Sequence, residues 1–452
     1  MKKFLVVLTV LALVVISSMA FAAAEVTVGG SVQIRSRDFQ NLNFNKSADA
    51  NDTVDTQERI ILDVNVKADG VKGKISLWND FNDWGRFEAT QGNDFGSGTT
   101  TGTTQGAGNG QFGFREAWVS FNVPGIPVNV TGGHQLLMLG MGGFFRSMHF
   151  GTDAWVIANV TGPNTAAVVN LKVAENNVGK NDDVDDYTLL DVFKINENNT
   201  VGIDLSQIVV HKSSGYTFGS ASIGDAALDN IGVNYTGKIG PVNLKGELDW
   251  QTGKVKRAGG APLPSEIKFK GNQIWINGNV PVDPVTINFT LARGSGNKRE
   301  NTAGGAVNAD VDLKQMFTLL DIDPHYTFLY EYKTATACAS PFALGGTAHT
   351  GFCNTTAISA GAAVKPVKSL MVGLDIWYLQ ATEKSGTPLA YGSTTGKTSS
   401  DVGTEIDATI NWQLYDNLSW NWNIGYFKPG DAMKTSDTAH TDAATGIQSF
   451  LP

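Results

Sequence analysis

Cysteine, histidine and charged residues are scarce in this sequence, and each shortage closes a route. Two cysteines in 452 residues exclude a disulfide scaffold and a cysteine-built zinc module, and six histidines are thin material for a metal enzyme, so neither metal nor cofactor is expected. Charged residues make up 17% of the chain, below the roughly 25% of soluble domains, while glycine is plentiful, which fits neither a disordered chain nor a coiled coil. A formal charge of −9 supplies no basic surface for phosphate neutralisation and argues against nucleic acid as a partner. His134 and His149 have no serine and acid at a triad's spacing, so no enzyme is expected.

Long apolar runs are missing too, with one exception. Lys2 and Lys3 precede a run from Phe4 to Ile16 that is apolar apart from Thr9, followed by Ser17-Ser18-Met19-Ala20-Phe21-Ala22. Small residues at positions −3 and −1 of a cut after Ala22 mark residues 1–22 as a signal peptide and leave 23–452 as a single unit. The run is shorter than the ~20 residues a spanning helix needs, so any membrane crossing is made without helices. Export implies an oxidising compartment, where Cys338 and Cys353 can pair and close the tip of one loop. The sharper alternative, a metal held jointly with His349, has an incomplete ligand shell.

What the sequence does have is alternation. Ile60, Leu62, Val64 and Val66 interleave with Arg59, Asp63, Asn65 and Lys67; Leu244, Leu248 and Trp250 with Lys245, Glu247 and Asp249; Ile406, Ile410 and Trp412 with Glu405, Asp407 and Asn411. This is the period of strands with one apolar and one wet face. Short turns, such as Asp69-Gly70, Gly162-Pro163-Asn164, Ile239-Gly240-Pro241 and Asp416-Asn417, take turns with long polar loops around 39–54, 85–111, 141–151, 175–184, 212–225, 253–268, 294–310, 334–353, 382–402 and 429–440. Short connections on one side and long ones on the other belong to a barrel in lipid rather than to a sandwich in water. The expected fold is all-β: a single transmembrane antiparallel β-barrel of about eighteen strands (sixteen to twenty), with periplasmic turns and extracellular loops. A strict parse gives twenty, the extra pair being 311–320 and 324–333; merging that region gives eighteen. Trp412, Tyr415, Trp420, Trp422 and Tyr426 fall near strand ends, where rings form interface girdles.

A lumen of that width holds water, and its chemistry is the charge on its wall. Parity places Arg35, Arg37, Arg59, Lys67, Lys72, Lys74, Lys172 and Lys245 inward as cations, and Asp63, Asp80, Glu116, Asp204, Glu247, Asp249, Asp375, Glu405 and Asp407 as acids. Positive charge gathers on the first three strands and the last three acids come late. Barrel closure is therefore expected to set the two groups facing each other across part of the pore, as opposed charges do in ion filters. The Gly/Thr-rich stretch 92–113 reads as a loop, with folding into the lumen as an alternative. The acidic run 181–186 reads as a solvated loop, with Ca²⁺ as the alternative.

Several pieces together resemble the alginate-export family of outer-membrane porins. These are Gly403-Thr404-Glu405-Ile406-Asp407, Tyr415-Asp416-Asn417-Leu418 and Gly425-Tyr426-Phe427-Lys428-Pro429-Gly430-Asp431 at the C-terminal hairpin. Earlier come Arg35 and Arg37, Trp78 and Asp80, Arg115-Glu116-Ala117-Trp118, Gly133-His134-Gln135 and Gly140. The resemblance implies a single-chain barrel with an arginine-rich lumen for anionic polyuronate. It makes Arg35, Arg37, Glu405 and Asp407 pore-lining, and the expected set is completed by Arg59, Lys74, Asp80, Glu116 and His134. Two positions depart from the family pattern: His134 stands where an arginine belongs and Met141 where an aspartate belongs. The expected function is thus passive passage of small hydrophilic or anionic solutes across the bacterial outer membrane, with its lipid and lipopolysaccharide as surroundings. A secreted or surface-attached β-rich binding protein is the alternative.

Overall fold

The computed structural model describes residues 24–42, 52–83, 112–175, 183–211, 217–218, 221–257, 266–296, 312–321, 326–331, 351–385, 399–433 and 443–451. Residues 1–22, read as a signal peptide, and most of 92–113 lie outside them. Eighteen long strands form one closed antiparallel wall: β1 (Glu25–Gln40), β2 (Thr53–Ala68), β3 (Val71–Asp83), β4 (Gly113–Asn122), β5 (Val128–Met138), β6 (Phe145–Thr161), β7 (Asn164–Ala174), β8 (Val184–Asn196), β9 (Asn199–Val210), β10 (Ala221–Ile239), β11 (Val242–Arg257), β12 (Asn272–Val282), β13 (Val285–Gly294), β14 (Thr355–Val367), β15 (Leu370–Ser385), β16 (Ser399–Tyr415), β17 (Leu418–Pro429) and β18 (Ala444–Leu451). Each pairs with the next, and β1 pairs with β18 from Ile34↔Leu451 to Gln40↔Thr445, which closes the barrel.

All the short turns read from the sequence are present at one end. Gly162 and Gly240 take φ of 59° and 60° there, a left-handed conformation in which glycine alone escapes a Cβ clash. The alternating residues form two faces. Leu189 and Leu374 are 56% and 48% exposed, and Val28, Ile157, Val168 and Ile376 join them in an outer apolar belt. Below it Trp412 pairs with Trp420, whose ring stacks on Trp422 at 4.4 Å.

Facing sides follow from register, because directly paired residues share a face. Val64 lies between Val28 and Ile75, Leu248 between Val233 and Ile274, and Ile410 between Val372 and Trp422. Arginine at Val64, Leu248 or Ile410 is expected to cost about 2–4 kcal/mol, the lipid-face penalty near the midplane. Asn65→Arg and Asn411→Arg, one residue away on the wet face, should be tolerated. Reversible urea unfolding from vesicles checks the contrast; equal costs at neighbouring positions would refute the assignment of faces.

The two extra strands of the strict parse are not in the wall. Residues 315–321 and 326–331, between β13 and β14, lie inside the barrel as an inward strap, which enters along 312–314 beside Lys268–Lys270, with Leu313 turned inward. Its first part packs on the upper inner wall of β6 to β11: Leu313, Met316, Phe317 and Leu319 join Val169, Leu171, Ile208, Leu228 and Val255 in one buried cluster. Its second part packs on the other side of the barrel, where Leu329 and Tyr330 join Phe39, Trp377, Leu379, Val402 and Phe427. The apolar spacing that mimics strands here serves burial against apolar residues that face the lumen. Burial also pushes the Tyr326 and Tyr330 phenols up from the ordinary tyrosine range, so both are neutral.

Candidate functional site

The strap is fastened mainly by carboxylates and amides. Asp321 Oδ2 accepts hydrogen bonds from the backbone N–H of His149 and Phe150 on β6, at 2.6 and 2.9 Å. Gln251 on β11 donates to the Phe317 carbonyl and accepts from its N–H. Across the lumen, both oxygens of Glu405 accept from the N–H groups of Leu329 and Tyr330, and Asp407 accepts from Phe328. A smaller inward loop between β5 and β6 is held the same way, since Glu247 accepts from the N–H groups of Met141 and Gly143.

This arrangement alters the expected roles of the late acids. Glu405 is completely buried and holds the strap rather than facing open water. The early cations are compensated by their neighbours on the wall. Arg37 forks onto Asp55, with Nε to Oδ1 at 2.9 Å, and Arg35 binds Gln57. Arg59 pairs with Asp80, whose other oxygen lies 3.0 Å from His149 Nε2, and its guanidinium sits over the Trp78 ring. Lys74 bridges Glu116 and Asp63. These residues are on the inner face, as parity required, but they form paired networks and not an open field aimed at Glu405 and Asp407.

His134 is a correction. It pairs directly with Asp153, whose side chain is 69% exposed on the outer face in line with Trp155 and Ile157. Its Nδ1 lies 2.9 Å from Asp153 and its Nε2 2.9 Å from the Phe150 carbonyl. Histidine at this position therefore faces outward, not into the lumen. Lys172 is also turned outward, where it binds Asp183 and Asp185 at 2.8 Å each. That takes up two of the acids considered for Ca²⁺, and among the described residues no group of acids, histidines or cysteines is arranged to hold a metal. Cys353 is buried at the end of the strap region; Cys338 and His349 lie outside the described residues.

Beside the strap a cavity of about 640 Å³ remains. Arg146 at the head of β6 and Lys245 on β11 face it, together with Asp375, Trp275, Tyr326 and Trp377. Among the described residues neither cation makes an ion pair; Lys245 Nζ stands 5.2 Å from the centre of the Trp275 ring. The lining thus carries two cations and one acid within aromatic walls, and Glu247, Asp249 and Glu331 lie close enough to act on Tyr326 from behind it. Parity had found Lys245 and Asp375. Arg146 was missed because 141–151 reads as an external loop, although Phe144-Phe145 inside it is an apolar signal of inward packing.

The same barrel fold is found in solved structures. A BenF-like porin from Pseudomonas fluorescens Pf-5 matches with a TM-score of 0.52, at 10% identity over 96% of this chain and 98% of that one. The fold is that of the outer-membrane porins. OccAB1 of Acinetobacter baumannii matches at 12% identity with a TM-score of 0.52, over 94% of this chain and 95% of that one. OccK2 of Pseudomonas aeruginosa, solved in complex with glucuronate, matches at 8% identity with a TM-score of 0.50, over 93% and 95%. No family model matches the sequence, and no curated protein does. The porin likeness concerns the barrel and does not single out the alginate-export family.

Proposed function

We propose that this chain is a passive channel of the bacterial outer membrane that favours small anionic solutes. The observation that carries this reading is the cavity beside the strap, where Arg146 and Lys245, neither of them in an ion pair among the described residues, face the open space beside Asp375 inside a closed barrel. A guanidinium cannot shed its proton and presents a fork that suits a carboxylate. One acid facing two cations keeps the hold on a passing anion weak, as conduction requires. The rings of Trp275, Tyr326 and Trp377 give a sugar or cyclic acid flat surfaces to slide along. The relation to alginate-export porins belongs to the same proposal, supported by Arg35 and Arg37 on β1, Trp78 and Asp80 on β3, and Glu405 and Asp407 on β16. With His134 outward and Met141 bound through its backbone to Glu247, the reading favours single uronate-like acids over the polymer. Liposome swelling tests it: glucuronate should enter faster than glucose, which is similar in size. Equal rates would overturn the anion preference, and no swelling with either solute would overturn the channel.

The disulfide between Cys338 and Cys353 is part of this reading, as a clasp that closes one extracellular loop. A loop of that size is worth about 3 kcal/mol in the chain-entropy model. Alkylation of exported protein without reductant should add no label; two labelled thiols would refute the pair.

A further inference from the structure

On the outer face, above the apolar belt, lysines gather on adjacent strands. Val255 and Ile267 are buried in the cluster beneath the strap, so their neighbours Lys254, Lys256 and Lys268 point the other way, out of the barrel. Lys254 and Lys268 are directly paired across the ladder between β11 and the short strand Glu266–Lys268. Like charges opposite one another destabilise a ladder unless something compensates them. Glu266 answers Lys254 at 3.1 Å. Among the described residues Lys256 and Lys268 have no ion pair. Residues 312–314 extend the patch: Leu313 N–H donates to the Lys268 carbonyl and its own carbonyl accepts from Lys270 N–H, both at 2.7 Å. That adds Lys270, paired with Asp312, and exposed Lys314. Five lysines thus share a small sheet surface with Glu266 and Asp312, on a chain whose net charge is negative. The surface is held firm from behind by Val255, Ile267, Phe269 and Leu313, all 6% exposed or less.

Height decides the partner. Trp250, 49% exposed on the same face of β11, is the last large apolar side chain of that strand's outer row. Lys254 lies four residues further. At about 3.3 Å per residue and a tilt of about 40°, that puts it roughly 10 Å above the ring. Counted from Leu248, near the midplane, Lys254 is six residues away and stands roughly 15 Å up, just past half of the apolar band of about 25 Å, so the lysines stand at the level of headgroups rather than of acyl chains or bulk water.

We propose that Lys254, Lys256 and Lys268 bind the phosphates of the outer leaflet's phosphorylated glycolipid, lipid A, and so fix a lipid molecule against β11. The proposal rests on the outer-membrane placement argued above. Full-length protein refolded in detergent is titrated with bisphosphorylated lipid A and, separately, with the same lipid stripped of its phosphates. The phosphorylated form should bind at least tenfold more tightly. The K254Q/K256Q/K268Q variant should lose that difference and the corresponding triple arginine variant should keep it. Lys365→Gln with Lys368→Gln, at the turn end of the barrel, should change nothing. Equal affinity for both lipids, a triple glutamine variant that binds like the parent, an equal loss with the turn-end pair, or full displacement by inorganic phosphate would each overturn the site. Because these lysines point away from the lumen, the triple glutamine variant should keep the parent's conductance and ion preference. A protein that binds lipid A yet carries no current fails the channel reading and not this one.

Discussion

Replacing both Arg146 and Lys245 by glutamine is expected to reverse the ion preference of the channel. The cavity then changes from two cations and one acid to Asp375 alone. Each lost charge is worth about 1 kcal/mol to an ion about 8 Å away, taking an effective dielectric between those of protein surface and water. Together they shift the ratio of anion to cation permeability by about tenfold or more. The effect should be largest near 0.01 M salt, where the Debye length reaches about 30 Å. Reversal potentials across a planar bilayer under a KCl gradient read it directly. A preference that stays with chloride in the double variant would show that the paired network of Arg37 and Arg59 governs selectivity after all.

The second large effect is expected from the strap's fastenings. Asp321 and Glu405 each accept two backbone N–H groups. Changing both to alanine leaves four donors without partners, at about 1–3 kcal/mol for each one that stays buried. The strap should leave the wall and single-channel conductance should rise at least twofold. The barrel itself should survive, because none of the wall's ladder hydrogen bonds involves these carboxylates. A heat-modifiable band on a gel confirms assembly. Assembled protein with the parent's conductance would mean that the strap does not limit flow.

The wall was legible in the sequence because lipid and water impose a period of two on every strand. Ile60 to Val66 and Ile406 to Trp412 declare their faces without help from distant residues. The same parity also marks His134 correctly: Val128, Val130 and His134 share a face, and Val130 lies beside Phe121 and Ile157 on the outside. The family resemblance put it in the lumen, and local alternation was the better guide. Parity cannot show which inward charges are already paired. Arg59 meets Asp80 across a ladder whose register shifts between Glu58 and Ile60, a displacement without a signature in the sequence. Nor could a strap be told from a hairpin at 311–333, since burial against an apolar inner wall produces the same composition as burial in lipid.

The strap also separates two stages in the making of this protein. Within the wall, most neighbouring strands are joined by turns or loops short enough for each pair to form locally as the chain is laid down. The contacts that fill the lumen join distant positions: Gln251 and Phe317 are 66 residues apart, Leu329 and Glu405 76, and His149 and Asp321 172. Contacts of such long range are slow to form, since chain closure comes before any gain from them. Seating of the strap is therefore a late event that trails growth of the wall, and a newly closed barrel passes through a wide, unselective stage before its interior sets. On the channel reading, maturation is a narrowing, and selectivity is the last property to be acquired.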